Sequence, residues 1–148
     1  MMADRFGYDI PEYPQEITVK PSQGKQRRFS VEYWAYPDCK ILTADEIGPS
    51  HYHCLVVGAM DRPFTEMWDE LIRRLKKQIS VKYVKKDGNL GKDQKAVGYL
   101  RYNKERDDLD YVVDGFPYPW YEFIAQHIDN YEGWQMKIEF IDSSDEVE

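Results

Sequence analysis

"HYHCLVVGAM" (residues 51–60) followed by "DRPFTEMWDELIRRLKKQIS" (61–80) is the stretch on which the fold turns. The first ten residues read as a strand: β-branched and apolar residues follow two histidines, and Gly48-Pro49-Ser50 turns the chain just before them. The next twenty change period. Phe64, Met67, Trp68, Leu71, Ile72, Leu75 and Ile79 recur at helical spacing. Asp61 stands where an N-cap belongs, and Pro63 suits a first turn. Glu66, Asp69 and Glu70 come early, while Arg73, Arg74, Lys76 and Lys77 come late, an order that complements the helix dipole.

Upstream, "EITVK" (16–20), "QRRFSVEYWAY" (26–36) and "CKILTADEI" (39–47) are strand-like runs separated by turn residues. Phe29, Val31, Tyr33 and Ala35 share one face of the second run. Short turns between consecutive strands imply an antiparallel meander. Downstream, "KAVGYLRYN" (95–103) and "LDYVVD" (109–114) are further strands, and Asp114-Gly115 is a hairpin signal returning through "FPY".

A second helix is expected over "PWYEFIAQHIDNY", with Trp120, Phe123, Ile124, His127, Ile128 and Tyr131 on one face and Gly133 as its stop. "GWQMKIEFID" then alternates, placing Trp134, Met136, Ile138 and Phe140 inward in a last strand. The expected order is β-β-β-β-α-β-β-α-β. This is an α+β fold: a single domain over residues 1–148, with a mainly antiparallel sheet and two amphipathic helices packed on it. Residues 1–14 read as an irregular lead and 142–148 as an acidic, frayed tail.

Composition narrows the functional classes. Hydrophobic residues make up 42% and charged residues 32% of 148 residues, a globular balance. The two cysteines, Cys39 and Cys54, are too few for a disulfide framework. No apolar run spans a bilayer and no secretory signal opens the chain, so a cytoplasmic protein is expected. The net charge of −7 disfavours nucleic acid and anionic membranes as partners. An aromatic content of 15%, with 12 tyrosines, points either to aromatic packing or to a recognition surface.

Three sites merit attention. His51 and His53 lie on one face of a strand, and a tight turn puts Asp45 opposite His53, giving His51, His53 and Asp45 as a candidate metal set with zinc the fitting ion. The bland alternative is a solvated strand end in which Asp45 pairs with His53. Arg73, Arg74, Lys77, Lys85 and Lys86 form a candidate anion-binding cluster; its alternative is a solvated helix end. His127 falls in an apolar stripe, where a histidine is either a general base or a core residue with one hydrogen bond. Asp107, Asp108 and Asp110 lack the glycine and terminal glutamate of a calcium loop. No motif of a nucleophilic enzyme, phosphate loop or zinc protease occurs.

Val57-Gly58 ahead of the first helix, Val113-Asp114-Gly115, Trp120 with Glu122-Phe123, and Glu132-Gly133-Trp134-Gln135 together resemble an uncharacterised bacterial domain family, over roughly residues 16 to 141. The resemblance implies no activity, cofactor or catalytic residue. Some relatives carry a cysteine-rich segment ahead of the domain, and a zinc role tied to it does not carry over. The reading is therefore a non-catalytic binding or regulatory domain without a cofactor, acting on an unidentified protein partner. A metal-dependent enzyme and a nucleotide or nucleic-acid binder are the alternatives.

Overall fold

The computed structural model describes residues 11–91 and 93–146; most of the expected lead, Lys92 and the last two residues lie outside it. The chain is α+β with antiparallel sheets, and its strands divide over two of them. The first sheet is a meander in the order β1-β2-β3-β4, formed by Glu16–Val19, Arg27–Ala35, Lys40–Glu46 and His53–Gly58. α1, Phe64–Ser80, packs on it.

Alternation decides which side of this sheet is closed. Phe29, Val31, Tyr33 and Ala35 of β2, Leu42 and Ala44 of β3, and Cys54 and Val56 of β4 are buried on one face. Met67, Leu71, Leu75 and Ile79 of α1 cover that face, each no more than 2% exposed. Gly58 allows the close approach: a Cβ there would stand 2.8 Å from the Met67 sulfur. Full burial of each large side chain contributes roughly 1.5–3 kcal/mol, so this face dominates the stability of the first half. Pro63, not Asp61, occupies the N-cap of α1, and no side chain caps it.

The second sheet has the order β5-β6-β7, formed by Gly98–Asn103, Asp108–Val113 and Phe116–Pro119. Asp114 and Gly115 make its two-residue turn with φ of 54° and 77°, the doubly positive geometry that matches strand twist and that Asp-Gly accommodates. The short return through "FPY" is a strand in its own right, pairing Tyr118 with Tyr111 and Phe116 with Val113.

The second helix is shorter and less regular than its periodicity predicts. α2 covers only Trp120–Phe123; the chain widens into a π turn over Ile124–Ile128 and tightens into a 3₁₀ turn over Asp129–Tyr131. Phe123 and His127 are its buried residues, whereas Trp120 and Ile124 face solvent. Widening by one residue rotates the face and breaks the stripe.

The expected last strand does not form. Residues 134–141 belong to no ladder, and Trp134, Met136, Ile138 and Phe140 are 57–82% exposed instead of inward. Alternation specifies a strand only where a neighbour supplies the other half of the ladder, and none of the described strands does so. Residues 144–146, assigned by composition to a fraying tail, are held against α1.

Candidate functional site

The β3–β4 register pairs Asp45 with His53, and the two side chains meet at 2.6 Å from Oδ1 to Nδ1. His51 precedes β4 and works through its backbone. Its N–H donates to the Gly115 carbonyl at 2.7 Å, and its own carbonyl accepts the Tyr99 hydroxyl. Desolvation and nearby Arg101 lower the pKa of the His51 ring, opposed by Glu46 and Asp110. Thus Asp45 and His53 come together, while His51 belongs to the joint between the sheets. Among the described residues, no group of three or more His, Cys, Asp or Glu side chains is placed to hold a metal ion.

That joint is built around Tyr52 and Asp114. The Tyr52 ring lies under the β6–β7 turn, so close that a Cβ on Gly115 would stand 2.7 Å from it. Arg27 sits 5.0 Å over the same ring. Burial, with Asp114 nearby, pushes the Tyr52 hydroxyl up to about 12. The Asp114 carboxylate accepts the backbone N–H groups of Tyr83 and Val84 at 3.0–3.1 Å, tying the segment after α1 to the turn.

The basic cluster separates into two places. Arg73 makes a bidentate contact with Glu146, both bonds at 3.0 Å, and Lys77 reaches the same carboxylate at 3.4 Å. Arg74 is 6% exposed. Its guanidinium donates to the carbonyls of Leu55, Ser144 and Asp145 at 3.0–3.2 Å, bridging β4, α1 and the C-terminal segment. The cations hold the Glu146 carboxyl down at about 2, chiefly through the Arg73 hydrogen bond. Lys85 and Lys86 lie in the following loop, where Lys85 is 3.7 Å from Asp87. Arg74 falls three after Leu71 and seven after Met67, on the apolar side of α1, and that spacing was the available signal for a buried contact; the identity of its acceptors was not.

His127 matches the core alternative. Its Nδ1 meets the Gly88 carbonyl at 2.6 Å, its ring packs edge-on to Tyr118 at 5.1 Å, and its buried Nε2 has no hydrogen-bond partner among the described residues. Asp110, 3% exposed, pairs with the Arg106 guanidinium and accepts a hydrogen bond from the Asn103 amide. A cleft of about 270 Å³ lies beside Tyr13, Phe64 and Trp68, with Glu12 and Asp69 at its rim. Its three rings pack on one another at 5.8–6.3 Å and form the edge of the first core.

Sequence reasoning missed the open face of the second sheet. Leu100 pairs with Tyr111 and Tyr102 with Leu109, so the four share a face. α2 covers the Tyr111 end; Leu100, Tyr102 and Leu109 are 47–56% exposed, and Trp120 beside Tyr111 is 42% exposed. Strand period two in "GYLRYN" puts Leu100 and Tyr102 on one face, but it does not say whether a helix extends over them.

Residues 11–80 match the model of one domain of unknown function (DUF7686), and residues 81–145 match that of another (DUF7713). The two matches meet at the end of α1 and together agree with the resemblance to an uncharacterised domain family. No curated protein and no solved structure matches the chain.

Proposed function

We propose that these two adjoining domains of unknown function form a non-catalytic binding module, in which the first carries the second and the second meets a protein partner. The observation that supports this reading is the open face of Leu100, Tyr102, Leu109 and Trp120. Contiguous apolar and aromatic side chains on a sheet face are the composition of interface cores. No helix among the described residues is long and apolar enough to cross a membrane, so the face is not explained by a spanning segment.

Affinity capture with the tagged full chain tests it, beside a variant carrying Leu100→Glu and Leu109→Glu. The expected result is one protein retained in stoichiometric amount by the natural sequence and lost in the variant, whose melting temperature stays close to the parent's. Equal retention by the two, or no stoichiometric partner, overturns the reading. A second reading is favoured by the Glu146 contacts: Arg73 and Lys77 already form a carboxylate site, and an acidic segment of a partner would compete with the chain's own tail for it.

A further inference from the structure

We propose that residues 135–141 pair with the same segment of a second copy of this chain, antiparallel and centred on Ile138. This is independent of the β5–β6 face, because it uses a different stretch of chain.

The segment is already arranged for pairing. It is anchored at one end by the Trp134 N–H on the Tyr131 carbonyl at 2.9 Å and by the Tyr131–Trp134 ring contact. At the other end, Arg74 holds the Ser144 and Asp145 carbonyls. Between these anchors residues 134–143 are all exposed. Lys137 Nζ lies 3.7 Å from Glu139 Oε2, so alternate residues share a side, as an extended chain requires. Four large apolar side chains, Trp134, Met136, Ile138 and Phe140, point to solvent from a span that holds its ends fixed, and fixed ends lower the ordering cost of adding a partner strand.

The sequence of the segment selects the occupant. In an antiparallel pair, residues directly opposite share a face. A pairing whose residue numbers add to an odd sum sets apolar residues against polar ones. Among the even sums, centring on Lys137 sets lysine against lysine, and centring on Glu139 sets glutamate against glutamate. A parallel in-register pairing repeats both like-charge contacts. Centring on Ile138 sets Lys137 against Glu139 of the second copy, and the reverse, on one face. Gln135 meets Ile141 at the ends of that face, and on the other face Met136 meets Phe140, and Ile138 meets itself. Like charges directly opposite destabilise, and opposite charges stabilise, so of these three centres Ile138 is the one that makes the charged pair complementary. The contact is isologous and closes on a twofold axis. Seven residues per copy bury less than a standard interface, so the dimer is weak and concentration-dependent.

Sedimentation equilibrium over protein concentrations reaching the millimolar range tests the register, using full-length protein. The natural sequence is expected to show a monomer–dimer equilibrium. Lys137→Glu alone, or Glu139→Lys alone, converts both symmetry-related attractions into repulsions and weakens the dimer by about tenfold. The double variant Lys137→Glu, Glu139→Lys restores the parental constant. All these positions are exposed, and circular dichroism checks that each variant folds. A protein that stays monomeric throughout overturns the proposal. So does a dimer indifferent to the single reversals, which would place the contact on another face or strand edge, and so does a double variant that fails to recover.

Discussion

The first half of the chain closes its core, and the second half does not. In residues 16–80, fourteen buried hydrophobic residues form one cluster between a four-stranded sheet and a 17-residue helix. In the second half, Leu90, Val113 and Phe123 are the buried members of a smaller cluster, completed by partly buried rings. Of the large hydrophobics that face solvent, those in residues 100–141 outnumber those in residues 34–81 by twelve to four among the described residues. The physical difference is the cover. α1 presents Met67, Leu71, Leu75 and Ile79 along four turns, whereas α2 gives one regular turn and then widens. A three-stranded sheet with so short a lid leaves apolar surface exposed.

The largest effect is expected from breaking the closed half. Leu71→Ala, at a fully buried site, should cost about 2–5 kcal/mol in urea unfolding, and a cost under about 1 kcal/mol would mean that the α1 core is not the main source of stability. The joint comes next. Asp114→Ala strands the N–H groups of Tyr83 and Val84 and should cost about 1–3 kcal/mol, with faster hydrogen exchange at residues 81–84 than in β2 and β3.

In the unaltered protein, exchange should separate the halves, with β2–β4 amides outlasting those of β5–β7. Uniform protection would erase the comparison.

The smallest effect belongs to the tail. Glu146→Gln should change stability by about 1 kcal/mol or less, because the pair is partly exposed and screened. Its pH dependence has a definite sign. The folded carboxyl sits at about 2 against an ordinary 4.5, so the contact stabilises the fold above 4.5 and is lost as pH falls towards 2. A probe on the tail, such as fluorine at residue 145, should report release in that window, and Glu146→Gln should remove the transition. Release centred near neutral pH would contradict it.

How much was legible varies by element. β2, α1 and the Asp45–His53 register were readable because one face of each is buried, and burial imposes period 2 or 3.6 on the residues themselves. Asp114-Gly115 was readable because few residues tolerate two successive positive φ angles. Of the three candidate metal ligands, the register pairs Asp45 with His53, while the backbone of His51 bonds to Gly115 of the joint. The anion cluster was visible as charge, yet nothing local announces that Glu146, some seventy residues on, is its ligand.

The amino-acid sequence by itself determined the α+β class, the strand–helix order through α1, the β6–β7 turn and the alternation of 134–141. These are local, since each follows from side-chain spacing or from the φ a residue can adopt. Tertiary structure alone decided that the strands split into two sheets, that Arg74 gathers three distant carbonyls, and that "WQMKIEFI" lies open instead of paired. Alternation specifies which side chains will share a face. Whether that face is covered depends on what another part of the chain brings to it.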